Sequence, residues 1–205
     1  MEREGVTKFE LDFTVAPVPE SDLSQLNLWR RRLQELTLLG EIPTRYGGLG
    51  FGNLSQRYVT GFLITGSQTS GVAHLPASGY AWVTAWDLAS NMLSARGQTR
   101  PSSESLTHAA LYALSPEIKV VFHVHSPVIW HEAASLSLTM TDARVAYGTP
   151  EMAREVQRLN LAETVPGLFC MGGHEDGVVA YGRDCQDAGQ LLLETLSRAG
   201  GLLRP

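Results

Sequence analysis

The stretch Lys119–Ser126, KVVFHVHS, constrains the fold most. Val120, Val121, Phe122 and Val124 are strand formers, and the run reads as a buried strand. Residues two apart in a strand share a face. His123 and His125 therefore project side by side, which would offer two imidazoles to one metal ion. The alternative is two polar residues on the solvent face of an edge strand.

The rest of the chain alternates helix and strand patterns around this run, which argues a single α/β domain. Residues 1–24 read as an extended N-terminal arm with prolines near its end, and 25–205 as the domain. Ser21 or Asp22 caps a first helix that runs to about Gly40. Gly47, Gly48, Gly50 and Gly52 crowd into a loop. NLSQRYV and GFLIT read as strands, and YAWVTAWDLASNMLSARG as one or two more. Ser102 or Ser103 opens a helix over SSESLTHAALYALS. GTPEMAREVQRLNLAE is amphipathic, with Pro150 in its first turn. GLFCMGG and GVVAYG are strands about a Gly-rich turn. A closing helix follows, with Gly200 and Gly201 as stop signals.

Of the 205 residues, 43% are hydrophobic and 18% charged, which supports a core of ordinary size. The net charge is −5, and no basic patch stands out beyond Arg30-Arg31-Arg32, which argues against a nucleic-acid partner. That triplet reads as the solvated face of a helix. Cys170 and Cys185 form no C-x-x-C motif, which fits a reducing cytosol and gives no cysteine metal site. The charged N-terminus does not read as a secretory signal, and no run approaches the roughly 18 apolar residues of a membrane span. A cytoplasmic protein is expected, with no membrane partner.

A metal site needs a third ligand. His174 lies in MGGHEDGVVAYG, in a turn at a strand end, where binding residues are usually displayed. Three neutral imidazoles would leave an ion's charge uncompensated and a coordination position open, the pattern of a catalytic site. Such an ion acts as a Lewis acid on a carbonyl or hydroxyl oxygen. Glu104 offers a carboxylate at a helix start, beside Ser102 and Ser103. Free N–H groups and a partial positive charge there suit anions. The alternative is a capping sequence with an exposed Glu. GFGNLS and LITGSQTSG could form backbone nests for phosphate or carboxylate, or be ordinary turns. His108, four residues after Glu104, shares its helical face and could orient it or a ligand, or be a core-edge histidine with one hydrogen bond. His74, His131 and the tryptophans read as structural.

GNLS at 52–55, FLIT at 62–65, PSSES at 101–105, HVHS at 123–126 and the GGH turn at 172–174 occur in order, and the ordered set resembles the class II aldolase/adducin family from about residue 25 to 200. The resemblance implies a three-layer α/β/α domain whose central sheet is largely antiparallel or mixed and flanked by helices. It implies His123, His125 and His174 as ligands of one divalent metal ion per chain, zinc in the first place, with Mn2+, Co2+ or Mg2+ as alternatives. Glu104 matches the acid/base carboxylate, and Asn53, Ser102 and Ser103 match residues that hold a substrate phosphate. A Thr/Ser-Gly pair for the same purpose falls on Ser70-Gly71 or on Thr65-Gly66.

The implied activity is a lyase of the aldolase type in carbohydrate metabolism, acting through a metal-stabilised enediolate on a small hydroxylated carbonyl compound, including sugar phosphates. An epimerase or dehydratase on the same site, or a non-catalytic adducin-like interaction domain, are the alternatives. Family oligomers imply a homo-oligomer, a tetramer in the first place. This chain departs from the family by two acidic residues, Glu175 and Asp176, inserted after His174, where they would disfavour an anionic substrate or point to solvent. The family's interface tyrosine has its nearest counterpart in Tyr147.

Overall fold

In the computed structural model, which describes residues 5–159 and 161–202, the run 119–126 becomes a strand inside a nine-stranded sheet. The strands are β1 (Glu10–Val15), β2 (Gly40–Glu41), β3 (Gly50–Phe51), β4 (Asn53–Tyr58), β5 (Gly61–Thr65), β6 (Tyr80–Asp87), β7 (Met92–Gly97), β8 (Val120–His125), β9 (Thr139–Met140), β10 (Gly167–Cys170) and β11 (Gly177–Gly182). The helices are α1 (Ser24–Glu35), α2 (Ser105–Leu114), α3 (Pro127–His131), α4 (Pro150–Arg158) and α5 (Cys185–Leu202). The large sheet runs β1-β7-β6-β5-β4-β8-β11-β10-β9, and β2 pairs with β3 apart from it. Its pairings are antiparallel except at the two edges, where β1 runs parallel to β7 and β9 parallel to β10.

The two-residue period of β8 builds the three layers. Val120, Phe122 and Val124 join one buried cluster with Leu26, Trp29 and Leu33 of α1, Ile129 of α3 and Leu192 of α5. Val121, on the opposite face, joins the other cluster with Leu106 and Leu111 of α2 and Met152 and Val156 of α4. Each face is therefore covered by helices, and all six residues of β8 are buried. His123 and His125 share the Val121 face, so the edge-strand alternative does not apply to them.

Several boundaries differ from expectation. α1 ends at Glu35, because the chain turns through Thr37 at φ 56° while Leu38 N–H bonds the Leu33 carbonyl; Gly40 then opens β2. Ser102 and Ser103 lie in the turn before α2, which starts at Ser105. α5 runs through Gly200 and Gly201 to Leu202. A helical glycine costs about 1 kcal/mol, which weakens a helix without ending it. Within the segment read as an arm, Glu10–Val15 is β1, and Phe9 packs in the core.

The arginine triplet also divides. Arg31 and Arg32 are exposed, but Arg30 is buried. Its guanidinium donates to the carbonyls of Thr69 (2.6 Å), Ser70 (3.3 Å) and Val72, and Gln34 donates to Ser70 as well. α1 thereby clamps the loop that follows β5. Hydrogen bonds to a charged group contribute roughly 1.5–3 kcal/mol, and here they reinforce carbonyls that also accept from Val72 N–H (Thr69) and from Gln34 (Ser70 and Val72). Arg30→Met is expected to lower stability by about 3 kcal/mol in urea denaturation; a change within about 0.5 kcal/mol would return Arg30 to the solvated-face reading.

Candidate active site

β8 lies between β4 and β11, and this register gathers the site. His123 sits opposite Asn53 on one side and Val179 on the other, and His125 opposite Gly177. The turn joining β10 to β11 closes by Met171 N–H to the Gly177 carbonyl and Gly177 N–H to the His174 carbonyl. It hangs His174 over the same face. Gly172 and Gly173 are needed because a Cβ on either would overlap the carbonyl oxygens of Thr141 and Val145. Trp130 holds the turn by donating its indole N–H to the Met171 carbonyl (2.9 Å).

The three imidazoles are buried, and one ring nitrogen from each lies within 4.8 Å of the others. His174 Nε2 and His125 Nε2 approach to 3.1 Å. Burial pushes the pKa of His123 down to about 3 and those of His125 and His174 well below the usual 6.5, the latter two lowered further by neighbouring positive charge. Neutral imidazole is the form that ligates metals. His123 Nε2 is buried with no hydrogen-bond partner among the described residues. The Asn53 amide meets His123 Nδ1 at 3.1 Å, while Asn53 Oδ1 is likewise buried without a partner among them. Turning the amide pairs Oδ1 with Nδ1–H, frees the Nε2 lone pair, and leaves Nδ2 as a donor. This donor set fits a divalent cation: three neutral nitrogens converge, and one lone pair is otherwise unspent.

Glu104 occupies the N-cap position of α2 without capping it by its side chain. Its Oε1 lies 3.7 Å from His174 Nε2, and the residue is 3% exposed. With His174 neutral, the contact is not an ion pair. A cavity beside Glu104 is lined by Asn53, Ser70, Ser102, Ser103, Gly66 and Ser67, with Gly5, Gly50, Gly52 and Gln68 completing its wall. Of the two Ser/Thr-Gly pairs, the structure thus brings in Ser70 and Gly66. Gly71 is exposed and backs onto Glu41 in a separate groove with Arg31 and Gln34, so it is not brought to the site. Thr65 is spent on the Leu54 N–H.

Other expectations resolve by contact. His108 is a fully buried core histidine bonded to Ser55 Oγ (2.7 Å), not to Glu104 or a candidate ligand by side chain. His74 and His131 are exposed. Tyr147 is buried with its ring 4.6 Å from that of His174, within one chain. Glu175 is exposed, but Asp176 is buried, is not among the residues that line the cavity, and accepts a 2.6 Å bond from Tyr46 O–H, which in turn accepts from Arg45 (2.7 Å). Burial and the Asp176 carboxylate raise the Tyr46 pKa. The Tyr46 ring packs edge-on against His125 at 4.6 Å, so the inserted carboxylate braces a candidate ligand. Sequence reasoning missed Tyr46 and Arg45; the RYGG run beside the glycine loop was their only trace.

Residues 44–199 match the family model described as Class II Aldolase and Adducin N-terminal domain. A methylthioribulose-1-phosphate dehydratase of Gluconacetobacter diazotrophicus is 32% identical over 100 residues, 48% of this chain; the match spans 46%, about half, of that curated relative. The fold is similar to that of the L-fuculose-1-phosphate aldolase of Thermus thermophilus, with a TM-score of 0.62 and 19% identity over 88% of this chain and 91% of that one. It is also similar to a sugar-phosphate aldolase from Thermotoga maritima, with a TM-score of 0.63 and 15% identity over 88% and 95% of the two chains. Among the described residues no helix is long and apolar enough to cross a membrane.

Proposed function

This chain belongs to the class II aldolase and adducin N-terminal domain family, and from that premise we propose that it is a metal-dependent lyase acting on a small hydroxylated carbonyl compound, a sugar phosphate in the first place. The observation that carries the reading is the juxtaposition of three buried neutral imidazoles, Glu104 at 3.7 Å from one of them, and a polar cavity next door. His123, His125 and His174 would hold the ion, zinc before Mn2+, Co2+ or Mg2+. A bound divalent ion supplies Lewis-acid stabilisation of negative charge developing on a substrate oxygen.

The chain's own groups do the rest. Asn53 Nδ2, Ser102, Ser103 and Ser70 would seat the phosphate, whose binding orients the reacting carbons. Glu104, buried beside His174, would take a proton from the substrate and return it to the product. Asn53 and the Tyr46–Asp176 pair hold the rings of His123 and His125 in place. Aldol cleavage and dehydration differ in whether a carbon–carbon or carbon–oxygen bond then breaks. Similarity to a curated dehydratase supports dehydration as the second reading. A non-catalytic adducin-like role is disfavoured by the assembled donor set, and a homotetramer in the cytoplasm is the expected setting.

Elemental analysis of the purified protein tests the site: about one divalent ion per chain is expected, and His174→Ala should lose most of it while keeping its far-UV spectrum. Full retention of metal by His174→Ala would remove that residue from the site. Screening metal-loaded protein for retro-aldol cleavage and for dehydration, on sugar phosphates and their dephosphorylated counterparts, then separates the two reactions.

A further inference from the structure

The family match begins at residue 44, so the N-terminal segment lies outside it. That segment nevertheless reaches the candidate site. Phe9 is buried in the core cluster that contains Phe62, Leu93 and Tyr147. Asn91 grips the backbone on either side of it: its side chain donates to the Lys8 carbonyl (2.7 Å), and its own carbonyl accepts from Glu10 N–H (2.9 Å). β1 then pairs with β7 from Glu10 to Val15. Residues 5–8 thereby lie beside the site. Val6 N–H donates to the Tyr147 hydroxyl (3.1 Å), and Gly5 lines the same cavity as Asn53, Ser102, Ser103 and Glu104. Lys8 Nζ stands 3.7 Å over the Tyr147 ring, which also packs against the His174 ring. The Lys8 charge is felt at His174, whose pKa it helps to lower.

Resting on the reading of this cavity as an anion site, we propose that Lys8 is a further substrate-binding residue, its ammonium contributing to the capture of a phosphate group beside Tyr147 and Glu104. Three considerations carry this. The cavity's other donors, Asn53, Ser70, Ser102 and Ser103, are uncharged, and the Glu104 carboxyl, when ionised, opposes an anion. A cation three residues after Gly5 in the cavity wall, on a backbone held by Phe9, Asn91 and Tyr147, would offset that charge. The ring of Tyr147 fixes the ammonium in place by a cation–π contact.

The test is a calorimetric titration of inorganic phosphate into wild type, Lys8→Met, Lys8→Arg and Ser102→Ala, each zinc-loaded and metal-free. Met keeps the stem that packs on Tyr147, and Arg keeps the charge. Lys8→Met is expected to weaken phosphate binding about tenfold or more, as loss of a hydrogen bond to a charged group does, with Lys8→Arg close to wild type. Equal affinity of wild type and Lys8→Met overturns the proposal, and a loss confined to Ser102→Ala does so while leaving the cavity reading standing. No binding to wild type in either form overturns both. Because the metal-free titration stands by itself, failure of the protein to take up zinc would sink the metal reading without affecting the Lys8 comparison.

Discussion

Glu104→Gln is expected to keep its fold and its metal and to lose about 10²–10⁴-fold in kcat. Gln preserves the volume and planarity of the side chain in a site where Glu104 is 3% exposed, so little repacking follows. It cannot accept a proton at working pH, so the loss belongs to the chemical step and should appear in kcat more than in KM. A helix-capping role predicts the opposite pattern. Removing a negative charge at a helix start costs about 0.3–1 kcal/mol of stability and leaves turnover untouched. The structure weighs against that alternative, because Glu104 sits at the N-cap position yet makes no capping hydrogen bond with its side chain. Metal content, melting temperature and kcat measured on one Glu104→Gln sample decide between them. Normal turnover by the metal-loaded variant would end the acid/base role.

The parts of this candidate site that a reader of the sequence could find are those where local pattern alone brings side chains together. His123 and His125 were legible because strand periodicity alone puts them on one face, and β8 kept that register between β4 and β11. His174 was legible because glycines flank it in a turn, and the close approach of the Thr141 and Val145 carbonyls explains why they must be glycines. Pairings between distant segments were not legible. Arg30 looks like its two exposed neighbours in sequence, and only the docking of the 66–72 loop onto α1 separates it from them. Asp176 read as a charge that either disfavours an anionic substrate or points to solvent. The hydroxyl that claims it comes from Tyr46, 130 residues away. Gly71 and Ser70 are neighbours in sequence, but a backbone turn sends Ser70 into the cavity and Gly71 out of it. The N-terminal segment did carry a strand signal, since Phe9, Leu11, Phe13 and Val15 alternate with Glu10, Asp12 and Thr14, but nothing local named β7 as its partner, and six residues of parallel pairing at a sheet edge supply that.

Acid should unfold the metal-free protein far more readily than the metal-loaded one. His108, His123, His125 and His174 are buried, and burial is the first cause of the lowered pKa in each. For a histidine lowered from 6.5 in the unfolded chain, the unfolded state binds the proton first. Its contribution is therefore fully present above pH 6.5 and is lost as pH falls below that value, continuing down to the folded pKa, about 3 for His123. Each such group removes about 1.4 kcal/mol per pH unit in that window, so four together remove at most about 5. Against a typical domain stability of about 5–15 kcal/mol, about one to three pH units below 6.5 suffice to unfold the chain. The surface carboxylates that are lowered by ion pairs, such as Glu155 with Arg158, lose their contribution only below their ordinary 4.5 and cannot produce this earlier transition. A bound ion competes with protons for three of the four imidazoles and should move the transition to lower pH. Urea denaturation of chelator-treated protein at pH 8, 6.5 and 5.5 measures this. Stability should be nearly flat between pH 8 and 7 and fall by several kcal/mol by pH 5.5. A curve that stays flat to pH 5 would mean that these imidazoles are hydrated or paired in solution and do not form the dry, neutral cluster on which the metal reading depends.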